Sequence, residues 1–366
     1  MRPTWFSVDL DALAHNIRVF RGLAAPAEVC MVVKADGYGH GAPVVAAAAL
    51  EAGATWLAVA LVEEAVVLRE SGLDAPILVL SEPRPDEMAD VVGLGGVRPA
   101  LYSDAGVDAF ASVADAGAPV HLKVDTGMHR VGVRMDGAIA VARRVLDSGL
   151  DLEGVFSHCA MADEPDDPLT SVQVGRFDAV LADLAAGGIR PPVVHLANTA
   201  TALSRPDAMY SMVRIGLGAY GVSPGPELAG RCLSVGLRQV LSIHSRVTHL
   251  HEVTAGEGVG YGHRWRSAAD ARLATVPMGY ADGLDRAWGM GGVALVGGRR
   301  RSLRGVVSMD SLIIEVDEGV SVGDEVVLLG SQGDEEIGVA EFAEVVGRIP
   351  WEVLSRMGRR PPRRYP

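Results

Sequence analysis

The 366-residue sequence predicts an α/β protein in which a (β/α)8 barrel precedes a C-terminal, mostly-β domain. Two observations support this prediction. From about residue 27 to residue 230, short β-branched runs alternate with longer Ala-rich stretches, which is typical of parallel strands joined by crossover helices. After about residue 232, strand-like runs follow one another with only Gly or Asp turns between them.

Eight runs have the composition of barrel strands, and helical stretches such as 42–52, 104–116, 138–148 and 169–186 lie between them. Eight units within roughly 200 residues favour a closed barrel, because an open doubly wound sheet usually carries five or six strands. The open sheet is the alternative. The predicted strands are 29–33, 56–60, 77–80, 97–101, 119–124, 152–156, 192–196 and 211–215.

The change of pattern also predicts the domain boundaries. We expect the barrel to span residues 10–230 and the β domain to span residues 231–366. The segment 3–9 alternates like a strand and precedes the first barrel unit, so we expect it to join the β domain.

Composition excludes several classes of protein. The sequence has 46 acidic and 33 basic residues, a formal charge of −13, whereas a nucleic-acid binder needs a clustered basic face. Asp9 and Asp11 interrupt what would be the apolar core of a signal peptide. Three glutamates interrupt the most apolar stretch, 44–68, which is therefore too polar for a membrane-spanning helix, so we expect no membrane partner. Three scattered cysteines do not form a disulfide framework and favour a cytoplasmic protein.

The active site of a barrel lies at the carboxyl ends of its strands, so the residues after each predicted strand are candidates. The first strand is followed by V-V-K-A-D-G-Y-G-H-G, which contains Lys34 and Tyr38. A lysine at the end of an apolar strand is partly buried, and desolvation lowers its pKa and frees the amine for Schiff-base chemistry. A surface lysine with its stem along the strand is the alternative.

Other strand ends supply cations and a histidine. Lys123 and Arg130 lie in K-V-D-T-G-M-H-R, and an arginine fork suits a carboxylate, although Arg130 taken alone is more typical of a structural ion pair. His158 follows the sixth strand. It is interpreted as a structural histidine or, with Asp163 and Glu164, as part of a metal site.

Two further segments have the composition of an anion cradle. Asn198 and Thr199 follow the seventh strand and are suited either to bind phosphate oxygens or to cap a helix. Arg214 lies in the eighth strand, and Gly216 and Leu217 follow it, at a place where bare amides approach anions in many barrels. One amine, one anion cradle and two guanidiniums at one barrel mouth suit a phosphorylated aldehyde cofactor with an amino-acid substrate. A metal-dependent hydrolase that uses His158 is the alternative.

These segments resemble the alanine racemases, which are pyridoxal-phosphate enzymes built from a barrel and a β domain. The segment V-V-K-A-D-G-Y-G-H-G is the most specific match, and K-V-D-T-G-M-H-R-V-G and G-Y-A-D-G are almost as specific. The likeness covers nearly the whole chain. The matching segments, in the family's order, surround Lys34, Arg130, His158, Asn198, Arg214, Tyr261 and Met309.

The resemblance implies a two-base racemase that interconverts L- and D-alanine, supplies D-alanine for peptidoglycan and uses no metal. Lys34 would hold pyridoxal phosphate as a Schiff base and serve the D face of the substrate. Tyr261 from the other subunit of a homodimer would serve the L face. Two groups are needed because a proton removed from one face must return on the opposite face.

The resemblance also implies roles for the remaining candidates. Arg214 would bond the pyridine nitrogen, with His158 behind it. Arg130 and the amide of Met309 would hold the substrate carboxylate, and Lys123 would lie beside Arg130, where many family members carbamylate the lysine. The implied cofactor contacts also include Tyr38, Asn198, Thr199, Gly216, Leu217 and Trp351, and the implied access-channel residues are Tyr280 and Asp310.

One residue departs from the family pattern. Trp351 stands where the family usually has a tyrosine whose hydroxyl reaches the phosphate. An indole N–H also donates, but it is bulkier and placed differently. Because of this departure, a racemase of another small amino acid, such as serine, is an alternative function. A non-catalytic pyridoxal-phosphate barrel protein is a further alternative, although such proteins lack a β domain.

Overall fold

The structure is a computed structural model that describes residues 2–366, and these residues divide into two compact units. The first unit contains residues 13–37 and 41–238. The second contains residues 2–12, 38–40 and 239–366.

The first unit is a barrel. The chain begins with strand β1 (Trp5–Val8) of the second unit and helix α1 (Leu10–Ala24). The first seven barrel strands pair in parallel, each with the next, and the eighth pairs in parallel with the first. The barrel strands are β2 (Glu28–Val32), β3 (Trp56–Val59), β4 (Ile77–Val79), β5 (Val97–Leu101), β6 (Pro119–Asp125), β7 (Asp151–Phe156), β8 (Val193–His195) and β9 (Met212–Ile215).

Hydrogen bonds between the segments of β8 and β9 close the circle. Ser211 N donates to Val194 O at 3.0 Å, and Arg214 N donates to Ala197 O at 2.9 Å. Counted over residues 2–366, eight strands therefore form a closed parallel sheet, with the two-residue strand Val133–Arg134 beside β6. The predicted (β/α)8 barrel is confirmed, and the open sheet is wrong.

Helices connect the barrel strands, and the longer ones show the burial pattern of an amphipathic helix. In helix α6 (Ala138–Asp147), Ala138, Val141, Ala142 and Val145 are buried at the spacing of a single helical face. Helix α5 (Asp104–Ala111) ends short of the predicted residue 116, and the chain continues in turns. The helices of this unit after α1 are α2 (Ala42–Glu51), α3 (Val62–Glu70), α4 (Met88–Gly93), α5 (Asp104–Ala111), α6 (Ala138–Asp147), α7 (Leu169–Ala186), α8 (Thr199–Ser204) and α9 (Ala229–Ser234).

The second unit is mostly β, as predicted for the C-terminal part of the chain. Its elements after β1 are β10 (Leu241–Arg246), β11 (His249–Val253), β12 (Ala271–Val276), β13 (Val293–Val296), β14 (Arg299–Ser302), β15 (Leu312–Val316), β16 (Glu325–Gln332), β17 (Glu335–Ile337), α10 (Val339–Val346), α11 (Pro350–Ser355) and β18 (Arg363–Arg364). The larger sheet has the order β14-β13-β16-β10-β1-β18, with β17 beside β16, and a smaller sheet has the order β11-β12-β15. Strand β1 pairs antiparallel with β10.

Candidate active site

Lys34 begins a left-handed turn directly after β2. Ala35, Asp36 and Gly37 have φ of 52°, 54° and 62°, in a region that costs residues with a Cβ about 1–2 kcal/mol each. Tertiary contacts hold this conformation, because Ala35 N donates to Glu64 Oε1 at 2.6 Å and Ala42 N donates to Asp36 Oδ1 at 2.9 Å. Strain held in this way is typical of functional sites.

Lys34 and Lys123 are the only lysines in the sequence, and both lie at the ends of barrel strands. Burial, and then the charge of Arg130, lower the pKa of Lys34. Lys123 is buried and donates from Nζ to Leu80 O at 2.8 Å. Burial, and then the charges of Arg214, Arg130 and Lys34, lower the pKa of Lys123 to about 7. Both amines are therefore easier to deprotonate than an ordinary lysine.

Arg214 of β9 is a buried cation. Its Nη1 donates to His195 Nδ1 at 2.8 Å, and its Nη2 donates to Ser157 O at 2.8 Å, Leu196 O at 3.1 Å and His158 Nδ1 at 3.1 Å. All four acceptors are neutral when the histidines are unprotonated. Burial lowers the pKa of Arg214 to about 10, so the guanidinium keeps its charge near pH 7. Burial and the Arg214 charge lower the pKa of His158 and of His195.

Arg130 follows a loop that Asp125 organises. The Oδ1 of Asp125 accepts from the backbone amides of Gly127, Met128 and His129 at 2.9, 3.0 and 3.1 Å. Burial alone would raise the pKa of Asp125, but the amide hydrogen bonds outweigh it and lower that pKa. A small cavity is lined by Arg130 and Asp125, and also by Lys123, Val124, Met128, Val131, Ser157 and His158. Arg130 is exposed, so it is free to meet a carboxylate.

The segments after β8 and β9 meet through Thr199. The Thr199 hydroxyl accepts from the amides of Gly216 at 3.2 Å and Gly218 at 3.3 Å. A Cβ on Gly218 would lie 2.5 Å from the Phe20 ring and 2.6 Å from Thr199, so this close approach requires glycine. Asn198 accepts from Thr201 N at 3.0 Å and caps helix α8. Helix capping, which the sequence left open for Asn198, is thus observed.

The second unit carries the other candidates. Tyr261 begins the turn Tyr261–His263 between the paired strands Gly258–Val259 and Trp265–Arg266, and its side chain is 71% exposed. Tyr280 N donates to Ser308 O and Ala281 N donates to Met309 O, both at 3.0 Å. These bonds hold the Tyr280 segment against the Met309 segment, where both side chains are exposed.

Tyr38 and Trp351 lie in neighbouring segments of this unit. Tyr38 is buried, and a Cβ on the adjacent Gly39 would clash with the carbonyl oxygen of Leu354 in α11. Trp351 is half-buried in the first turn of the same helix. Gly39 also accepts, through its carbonyl, from Arg363 Nε at 2.7 Å. The segment after Lys34 and the C-terminal helix therefore pack closely together.

Family models match both parts of the chain. The model described as the alanine racemase N-terminal domain matches residues 8–224, and the model described as the alanine racemase C-terminal domain matches residues 240–365. The chain belongs to the alanine racemase family.

Individual family members are similar over their full length. An alanine racemase of Symbiobacterium thermophilum is 43% identical, with 100% of this chain and 97% of the relative covered. One from Thermobifida fusca is 40% identical, with 98% and 96% covered. The alanine racemase structure from E. faecalis aligns with a TM-score of 0.93 at 36% identity, covering 100% and 98%. The Bacillus anthracis structure with bound L-Ala-P aligns with a TM-score of 0.92 at 36% identity, covering 100% and 95%.

Sequence reasoning missed several polar residues of this alanine racemase family member. His195 and His121 are buried behind Arg214, and Glu153 contacts His121. Buried Asp282 accepts from Gly279 N at 2.9 Å and pairs with Arg2, which supports the Tyr280 turn. His121 stands two positions before Lys123 in one strand. Because side chains alternate between the two faces of a strand, the sequence already indicated that His121 shares a face with Lys123.

Two features are absent from the part of the chain that the structure describes. Residues 2–366 contain no group of three or more His, Cys, Asp or Glu side chains suited to a metal ion. Every helix in the same range falls short of the length and apolar character that crossing a lipid bilayer requires.

Proposed function

We propose that this chain is a pyridoxal-phosphate-dependent alanine racemase. Lys34 is the observation that carries the proposal, because a partly buried amine of lowered pKa stands on a strained turn at a barrel strand end. The family membership, and the name alanine racemase carried by the relatives, support alanine as the substrate.

The residues at the strand ends fit this cofactor. An aldehyde is captured by an unprotonated amine, which the lowered pKa of Lys34 favours. Arg214 only donates hydrogen bonds, so it suits an unprotonated pyridine nitrogen, and His158 would hold it from behind. For the phosphate we propose Thr199, Gly216 and, in addition, Tyr38, Asn198, Leu217 and Trp351. The hydrogen bonds that Asn198 and Thr199 accept support a role for both residues in shaping this loop.

When bound, pyridoxal phosphate would supply an electron sink that makes the Cα proton of the amino acid acidic. Lys34 would remove the Cα proton on one face while Tyr261 of the partner subunit would return a proton on the other, and the roles would reverse for the opposite enantiomer. Arg130 orients the substrate carboxylate through its fork, with the Met309 amide beside it. Lys123 lies next to Arg130, and Tyr280 and Asp310 line the access channel.

The proposal includes a cytoplasmic homodimer that supplies D-alanine for peptidoglycan. Cys30, Cys159 and Cys232 are buried and unpaired, which supports a reducing compartment. The exposure of Tyr261, together with its proposed contact with substrate, supports a partner subunit that covers it.

Borohydride reduction in the presence of pyridoxal phosphate tests the first step. The chain contains two lysines, so peptide mass spectrometry has two side-chain outcomes to distinguish. We expect the reduced adduct on the Lys34 peptide. We also expect Lys34→Ala to lose the adduct and to slow L-alanine racemisation by roughly 10³-fold or more. An adduct on Lys123 alone, or racemisation that survives Lys34→Ala, contradicts the assignment.

A further inference from the structure

A continuous line of hydrogen bonds runs from Arg214 across the inside of the barrel. Arg214 Nη1 meets His195 Nδ1 at 2.8 Å, and His195 Nε2 meets His121 Nδ1 at 2.9 Å. His121 Nε2 meets Glu153 Oε2 at 3.3 Å, and Arg98 Nε donates to the same oxygen at 2.9 Å. We call these five residues the polar chain.

The residues at the two ends of the polar chain indicate which atom donates and which accepts in each of its hydrogen bonds. A guanidinium can only donate, so the observed contact with Arg214 requires an unprotonated His195 Nδ1, with the ring proton on Nε2. His195 therefore donates to His121 Nδ1, and the proton of His121 sits on its own Nε2. That proton points at Glu153, and a carboxylate can only accept. One tautomer of each histidine satisfies every contact.

The histidines are held neutral by burial. Both rings are fully buried, and burial lowers their pKa even though Glu153 opposes the effect at His121. The cations Arg98, Lys123 and Arg214 surround them and act in the same direction as burial. Burial raises the pKa of Glu153, but hydrogen bonds from His121 and Arg98 outweigh it and bring that pKa to about 2. A charged carboxylate therefore acts on Arg214 through two neutral rings.

Packing fixes the orientation of both rings. The Phe156 ring stacks on His195 at 4.6 Å with an interplanar angle of 6°. A Cβ on Gly154 would lie 2.5 Å from the His121 ring, so the absence of a side chain there leaves space for it. Neither ring can turn over to exchange its nitrogens without displacing these neighbours.

We propose that Glu153 is a positioning residue that locks the tautomers of His121 and His195 and so supplies the acceptor that orients the Arg214 guanidinium. The lock itself stands on the contacts of the polar chain. Its effect on the reaction rests on the function proposed above, in which Arg214 bonds the pyridine nitrogen.

Replacing the carboxylate by an amide removes the lock. The Glu153→Gln side chain has nearly the same shape, but its NH2 group can donate to His121 Nε2. When this NH2 group faces His121, both histidines must reverse, and an N–H of His195 then meets the N–H of Arg214, so the guanidinium loses this acceptor and must turn away from His195. Glu28→Gln is a matched control, because Glu28 lies in barrel strand β2 and accepts from Trp56 Nε1 at 2.9 Å, but is not part of the polar chain.

Nitrogen-15 NMR of the histidine-labelled protein measures the tautomers directly. The two signals are assigned by their loss in His121→Asn and His195→Asn. In the wild type we expect a proton on Nε2 and none on Nδ1 of both rings. In Glu153→Gln we expect a population with a proton on His195 Nδ1, and in Glu28→Gln we expect the wild-type pattern.

The holoenzyme measures the consequence. We expect Glu153→Gln to change the visible absorption of bound pyridoxal phosphate and to lower kcat about ten-fold with KM within about two-fold, the scale on which supporting residues act. Glu28→Gln should change neither quantity.

The outcomes test three separate claims, which are the tautomer lock, the positioning role of Glu153 and the proposed function. A proton on Nδ1 of either wild-type histidine overturns the lock, as do unchanged tautomers in Glu153→Gln. Reversed tautomers with unchanged absorption and kcat overturn the positioning role. A wild-type protein that binds no pyridoxal phosphate overturns the proposed function and with it the effect on the reaction, while the NMR result still decides the lock.

Discussion

Lys123 is a buried amine surrounded by cations, so its proton is linked to stability. Its pKa falls from 10.5 to about 7 in the folded chain. Between these values the unfolded chain binds a proton that the folded chain does not, so the free energy of unfolding rises with pH across this window. Below pH 7 both states are protonated, and the cost of burying the charge is present in full.

Lys123→Met should remove this pH dependence. From pH 6 to pH 8.5 we expect the wild type to gain about 1–2 kcal/mol of unfolding free energy relative to the variant, because one proton is linked over that range. Urea unfolding at the two pH values measures the difference. Arg143→Met, which removes an exposed cation, serves as the control, and its unfolding free energy should change with pH as that of the wild type does. The same pH dependence in Lys123→Met would contradict the proposed link between stability and the Lys123 proton.

Position at a predicted strand end identified some polar residues of the candidate site and missed others. Lys34, Arg130, His158 and Arg214 became candidates because they lie near the ends of apolar runs or follow them. Glu153 was not found, because it stands inside a strand and its role depends on a histidine 32 positions away. The contact arises from the pairing of strands β6 and β7, and the local sequence around Glu153 does not reveal which residue of β6 lies beside it.

Strand β7 depends on one glycine for its packing. Gly154 lies in its middle, where a glycine weakens a strand unless another group must approach closely. Here that group is His121, whose ring atoms Cε1 and Nδ1 would lie 2.5 Å from an added Cβ. The glycine therefore makes room for the polar chain.

Gly154→Ala should destabilise the protein by about 1–3 kcal/mol, because His121 must leave a packed position. Gly175→Ala is the control, and for this variant we expect stability to change in the opposite direction. Gly175 is exposed in helix α7 with nothing within 4 Å of an added Cβ, so alanine should stabilise by about 0.5–1 kcal/mol. Urea unfolding of both variants measures the two changes. Equal effects would show that the space beside His121 is not limiting.

Elements with a strong local signal were predicted well, and those set by tertiary contacts were not. Each barrel strand lies within a residue or so of its predicted bounds, because a buried parallel strand is a nearly continuous apolar run. The left-handed turn at Ala35 and Asp36 was not predicted, because both residues ordinarily avoid that conformation. The carboxylate of Glu64, distant in sequence, supports it.

For the whole molecule, the proposed reaction demands groups from two compact units. Lys34 and Arg130 belong to the barrel unit, and Tyr261 belongs to the β unit, where it is 71% exposed. If Tyr261 serves the site of a partner subunit, two differently damaged chains can together build one intact site. If it serves its own chain, they cannot.

Co-expression of Lys34→Ala with Tyr261→Phe decides between these arrangements. Random pairing makes about half of the dimers hybrid, and each hybrid has one site carrying both changes and one carrying neither, so about a quarter of the wild-type activity should return. Lys34→Ala with Arg130→Ala is the control, since both residues belong to one barrel and every hybrid site keeps one lesion. Racemisation of L-alanine by the purified mixtures measures the recovery. No recovery in the first mixture, with hybrid dimers verified by mass, would refute the shared site.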